Sequence, residues 1–178
     1  MAEFTVAEAV ALLERTPREL DVWLRGLPEP WLEARTEGPE SFSPRDVIGH
    51  LIGGERTDWM ARTRVILQFG EGRAFEPFDR FAFQQESAGR PIAELLDEFA
   101  RLRRENLDAL REMQLTQADL DRLGRHPDAT FPPVTLRQLL ATWVVHDLSH
   151  VAQIARVMAK RYADDIGPWK AYHSIFNR

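Results

Sequence analysis

The sequence has no cysteine, which excludes disulfides, thiolate metal sites and cysteine nucleophiles. Any metal must therefore be held by His, Asp or Glu. Long apolar runs are also missing: none approaches the roughly 18 residues of a membrane span. The start, Met1-Ala2-Glu3-Phe4-Thr5, lacks the basic and apolar regions of a secretory signal, so a cytoplasmic protein is expected. Nor is there an excess of basic charge. With 23 Lys and Arg against 28 Asp and Glu, the net charge is -5, the wrong sign for a phosphate-backbone binder. The one local basic cluster, Arg101-Leu102-Arg103-Arg104, runs into Glu105 and reads as a solvated helix face. Neither nucleic acid nor membrane is an expected partner.

What is present is an ordinary globular composition, 44% apolar and 29% charged over 178 residues, which suits one domain over residues 1–178. No run alternates with period two, so no strand is expected. Four long segments instead repeat apolar residues near every 3.6 positions. The first spans Thr5 to Arg25, opened by Thr5-x-x-Glu8 and closed by Gly26 and Pro28. The second spans Pro44 to Phe69, with Ser43 as N-cap, Asp46 in the first turn and Gly70 beyond the end. The third runs from Pro91 to Met113, and the fourth from Thr135, where Thr135-x-x-Gln138 forms a capping-box pattern, to Tyr162. About 20 residues join the second segment to the third, and about 20 the third to the fourth, too many for simple hairpins. The predicted fold is an all-α four-helix bundle with long crossover connections. Thr116-x-x-Asp119 adds one short helical turn to the second connection, and Tyr172, Ile175 and Phe176 are placed to dock the tail.

Three histidines carry the candidate chemistry. His146 and His150 are four apart on one helix, so their imidazoles lie one above the other on a single face. His50, on the second segment, lies on the flank of an apolar arc, as His146 and His150 do on the fourth. Taken singly, each also fits a boundary histidine satisfied by its neighbours. Taken together, three neutral imidazoles suit Zn, Ni, Fe or Co and leave a coordination position for water or substrate. His146-Asp147-x-x-His150 has Asp where the zinc-protease pattern requires Glu, so that mechanism is not supported. His126, in the Gly124-Arg125-His126-Pro127 loop, and His173, in the tail, are expected to face solvent.

Ser43-Pro44-Arg45-Asp46-Val47-Ile48-Gly49-His50-Leu51-Ile52-x-x-Glu55 and His146-x-x-x-His150-x-x-Gln153-Ile154 together resemble the DinB-like (YfiT-type) metalloprotein superfamily, over nearly the whole chain. The resemblance implies a four-helix bundle with a crossover, frequently a homodimer. It implies one divalent metal ion, zinc or nickel, on His50, His146 and His150. Characterised relatives include bacillithiol and mycothiol S-transferases and a mycothiol-dependent maleylpyruvate isomerase, in which the metal activates a low-molecular-weight thiol. One departure is Phe42 at a position where the family often has Trp. The function so implied is that of a metal-dependent thiol S-transferase or hydrolase acting on a small molecule; the alternative is a non-catalytic metal-binding or stress-response bundle.

Glu55, Arg62 and Asp147 project toward the middle of apolar arcs, where charge needs a partner. They fit either support of a ligand imidazole or proton relay, or else structural ion pairs, Asp58 with Arg62 or Asp147 with Arg62. Trp59, Trp143 and the aromatic stretch from Phe75 to Phe83 fit either a substrate pocket or plain core. Phe4, Leu12, Leu20 and Trp23 fit either a dimer face or inward packing.

Overall fold

A computed structural model describes residues 4–79 and 81–177; Arg80, in the aromatic stretch, and the first three residues, read above for a signal, lie outside them. The helices are α1 (Val6–Leu13), α2 (Thr16–Leu24), α3 (Glu29–Leu32), α4 (Pro44–Thr57), α5 (Trp59–Phe69), α6 (Ala82–Ser87), α7 (Ile92–Glu112), α8 (Gln117–Leu120) and α9 (Leu136–Lys160). The four long segments predicted from the sequence are α1 with α2, α4 with α5, α7, and α9. They form the expected four-helix bundle.

Two of the four are interrupted, and each break has a local cause. α1 and α2 separate at Glu14 and Arg15 because Pro17 sits in the first turn of α2. Proline has no N–H to give the carbonyl four residues back, and the Leu13 carbonyl instead accepts a hydrogen bond from Arg103 Nη1 at 2.8 Å. α4 and α5 part at Asp58, whose φ of -109° and ψ of -75° bend the helix. The turn on either side is kept by Asp58 N–H to the Gly54 carbonyl and Arg62 N–H to the Asp58 carbonyl.

Capping follows the sequence closely. Ser43 and Asp46 exchange hydrogen bonds at the start of α4, Thr116 and Asp119 at α8, and Thr135 and Gln138 at α9. The first long connection carries α6, which lies close against α4 because glycines face it. A Cβ on Gly53 would stand 2.1 Å from the Phe83 ring, and one on Gly49 would meet the Ser87 hydroxyl at 2.4 Å. Among the described residues, the second connection departs from an all-helical reading. Leu123–Gly124 pairs antiparallel with Val134–Thr135, and an isolated bridge joins Ala74 to Arg125. These two-residue strands fasten the loop carrying His126 to the end of α5 and the segment after it.

The interior divides into two apolar clusters with a polar layer between them. One cluster gathers Leu13, Trp59, Met60, Ile66, Leu107, Leu140 and Trp143; the other gathers Leu20, Leu24, Ile48, Leu51, Leu96, Phe99 and Ile154. Along α4, α7 and α9 the residues between the two sets are Glu55, Arg103 and Asp147, all buried. The Arg103 guanidinium donates to Glu55 Oε1 at 2.8 and 3.0 Å and to Asp147 at 2.6 and 3.1 Å. Trp143 Nε1 and Asn106 Nδ2 also donate to Glu55. Arg103 is thus not part of a solvated face as its neighbours Arg101 and Arg104 are: it is 2% exposed and continues the buried stripe of Phe99 and Leu107 at steps of four. The structural ion-pair reading of Asp147 is correct in kind, but its partner is Arg103 rather than Arg62, and Glu55 shares the same cation. Arg103→Ala should cost about 3–5 kcal/mol in urea unfolding, because it leaves two buried carboxylates without their cation. Combining Arg103→Met with Glu55→Gln and Asp147→Asn should recover much of that loss.

Candidate metal centre

α4 and α9 bring His50, His146 and His150 together. The Ser43 cap and Pro44 start α4 six residues before His50, and the Thr135 capping box starts the uninterrupted 25-residue α9 that carries the other two. His146 Nε2 lies 3.0 Å from His50 Nε2 and 3.2 Å from His150 Nε2. Three nitrogens at about 2.0–2.1 Å from one tetrahedral ion would be about 3.3 Å apart, so the spacing fits a common ion. The three residues form a group able to hold a metal, with all ligand atoms within 4.8 Å of one another.

The protonation of the rings suits the same role. His150 Nδ1 lies 2.9 Å from Gln153 Oε1; that carbonyl can only accept, so the proton sits on Nδ1 and Nε2 keeps its lone pair. Gln153 is one helical step from His150, a spacing visible in the sequence whose role sequence reasoning missed. Burial, then the neighbouring His150 and His50 and the Arg103 cation, push the His146 pKa down to about 3. The ring is neutral, as a ligand must be, at any pH near 7. Packing orients the rings as well: Trp59 meets His146 edge to face at 5.1 Å, and Phe78 meets His50 at 5.4 Å.

All three histidines line one cavity of about 450 Å³. Phe42, Trp59, Phe78 and Gln153 line it beside them, and Gly54, Asp58, Arg62 and His126 complete the wall. The aromatic expectations divide accordingly. Trp143 is fully buried and stacks on Trp59 at 5.7 Å, while Phe75 and Phe83 belong to the buried interior. On the first segment Leu20 is core, whereas Leu12 and Trp23 remain partly exposed. His126, expected in solvent, is half-buried on the cavity wall, because strand pairing draws its loop inward; His173 is exposed. Arg62 pairs with Asp58 one turn away. Burial raises the Asp58 pKa above the usual carboxylate value, against the pull of Arg62 and His126.

A family model described as the DinB superfamily matches residues 12–154. No curated protein matches the chain. Among solved structures, YfiT from Bacillus subtilis superimposes with a TM-score of 0.76 at 22% identity, covering 90% of this chain and 91% of YfiT. YfiT is described as a probable metal-dependent hydrolase with an unusual four-helix bundle topology. Among the described residues, no helix is long and apolar enough to cross a membrane.

Protein purified with zinc or nickel should carry about one divalent ion per chain by mass spectrometry, and His146→Ala should carry almost none. Gln153→Ala should keep the ion but bind it about 10–100-fold more weakly. Equal metal content in wild type and His146→Ala would place the ion elsewhere.

Proposed function

This chain belongs to the DinB superfamily, and from that premise we propose that it is a metal-dependent enzyme acting on a small molecule, with His50, His146 and His150 as the ligands of a divalent zinc or nickel ion. The observation that carries this reading is the convergence of three imidazole nitrogens on the wall of a cavity large enough for a small organic substrate. Three protein ligands leave coordination positions open, and a site open toward a cavity suits reaction more than stapling of the fold. A bound ion would supply Lewis acidity, making water or a thiol nucleophilic near neutral pH and polarising the electrophile.

The chain's own residues do the rest. Gln153 holds His150 with its lone pair inward. Phe42, Trp59 and Phe78 give the cavity an apolar wall that limits competing water. Asp58 is the carboxylate on that wall; buried and raised in pKa, it is suited to take a proton from the incoming nucleophile. The hydrolase form, with water as nucleophile, is supported by the description of YfiT. The transferase form would take its thiolate from a low-molecular-weight thiol cosubstrate, since the chain has no cysteine to supply one.

Zinc- or nickel-loaded protein should hydrolyse members of a panel of small amides and esters, or conjugate a small electrophile when a thiol is added. Either activity should disappear on chelation and in His146→Ala, and return to the wild type when metal is restored. Turnover unaffected by chelation would overturn the metal-dependent reading, and a loaded protein inert in both screens would favour a non-catalytic metal-binding bundle.

The same reading includes a cytoplasmic homodimer without nucleic-acid or membrane partners. Val145 and Leu148 of α9 are 60% and 53% exposed, and this apolar face is the one we assign to the second copy. Light scattering should give twice the chain mass for the wild type and the single mass for a Val145→Glu, Leu148→Glu variant; a monomeric wild type would sink the assignment.

A further inference from the structure

The cavity has a second polar end, and the metal reading uses neither Arg62 nor His126, which lie on its wall. His50, Gly54, Asp58 and Arg62 follow one another at steps of four along α4 and α5, and all four line the cavity. Such a stripe runs along one face of a helix, and twelve residues advance it by about 18 Å. Helical side chains lean toward the N-terminus, so the long Arg62 side chain reaches back toward the histidines. Between the two ends Gly54 makes room for Trp59: a Cβ there would stand 2.9 Å from its indole nitrogen.

Arg62 is held in a defined orientation. Asp58, one turn away, pairs with it through Nε, and the Phe75 ring lies 5.2 Å from the guanidinium carbon. An arginine engaged through Nε still has the N–H groups of both Nη atoms to donate as a fork. His126 joins it on the same wall. Its Nδ1 accepts a hydrogen bond from the Asp128 backbone N–H at 3.1 Å, which in the neutral ring leaves Nε2 as the donor. The ring is backed by Phe131 at 4.8 Å. This end therefore offers hydrogen-bond donors, and the other end has the three imidazoles able to hold a cation.

We propose that Arg62 and His126 anchor a carboxylate of the substrate, so that the protein acts on small molecules with a reactive group at the metal end and a carboxylate at the other. The inference rests on the metal reading given above. A planar monoanionic carboxylate matches the Nη fork, with His126 Nε2 adding a donor. A phosphate dianion fits less well, because the Asp58 carboxylate already offsets the guanidinium charge. Arg62 and His126 act here as specificity-determining residues.

The test uses a series of linear dicarboxylic acid monohydroxamates, from succinic to suberic, on the zinc-loaded full chain. The hydroxamate addresses the metal end and the free carboxylate the other; the matching terminal amides and phosphonates serve as comparisons. Calorimetry should show one chain length at which the acid binds at least about tenfold more tightly than its amide and more tightly than its phosphonate. Arg62→Gln should remove that advantage while leaving the amide unaffected, Arg62→Lys should retain part of it, and His126→Gln should reduce it. Because Arg62→Gln strands the Asp58 carboxylate, the double variant Asp58→Asn, Arg62→Gln repeats the measurement in a neutral pair. Equal binding of acid and amide at every length, or an advantage that survives both in Arg62→Gln and in the double variant, would overturn the anchor. A phosphonate that binds more tightly than the acid would overturn the choice of carboxylate. If amides and acids alike fail to bind, the metal reading fails and the anchor falls with it, an outcome distinct from hydroxamate binding without a carboxylate preference.

Discussion

The buried guanidinium of Arg103 joins the four long segments at one level of the bundle. It comes from α7, takes Glu55 from α4 and Asp147 from α9, and satisfies the Leu13 carbonyl that Pro17 leaves without a helical partner at the end of α1. Taking three charges out of water is costly, and such a network adds little net stability over a well-packed apolar core. What it imposes is position. A slip of α4, α7 or α9 by one turn, about 5.4 Å, would carry a charged group into one of the two apolar clusters and leave its partners unpaired. The relative heights of α4 and α9 are held in this way, and those heights decide whether His50 meets His146 and His150.

The cluster of His50, His146 and His150 lies beside this network and inherits its order. Asp147 is the residue after His146, and Glu55 is five residues beyond His50, so the helix faces that look inward to Arg103 flank those that look toward the cavity. The Trp59 and Trp143 rings connect the two regions: Trp143 donates to Glu55 and stacks on Trp59, which in turn packs against His146. A ligand ring supported in this manner is held by packing as much as by hydrogen bonds. The bend at Asp58 performs the complementary task, turning Asp58 and Arg62 along the same cavity as His50.

A shared bundle does not by itself define a reaction, because one scaffold serves many chemistries through the side chains around its site. Water or a small thiol could each be activated by a divalent ion held at such a centre. The walls are more particular: an aromatic flank, a buried carboxylate paired with arginine, and a histidine brought in from a distant loop. In the proposed enzyme these are the features that would distinguish one substrate from another.

By itself, the sequence determined what depends on short-range periodicity. Apolar residues every 3.6 positions, with Thr5, Ser43 and Thr135 as caps, defined the long segments, and the spacing of His146 and His150 placed two imidazoles on one face. It also held two signals that went unread, Pro17 as the cause of the first break and Arg103 at an apolar position of the α7 stripe. The tertiary structure decided what depends on residues far apart in the chain. Glu55 and Asp147 meet Arg103 from 48 and 44 positions away, and His126 reaches the cavity only because residues 123–124 pair with residues 134–135 and Arg125 with Ala74. A local window contains helix propensity, caps and amphipathic phase, since these arise from neighbours within a turn or two. The partner of a buried charge or the wall of a cavity belongs to the packing of helices, and no local window contains it.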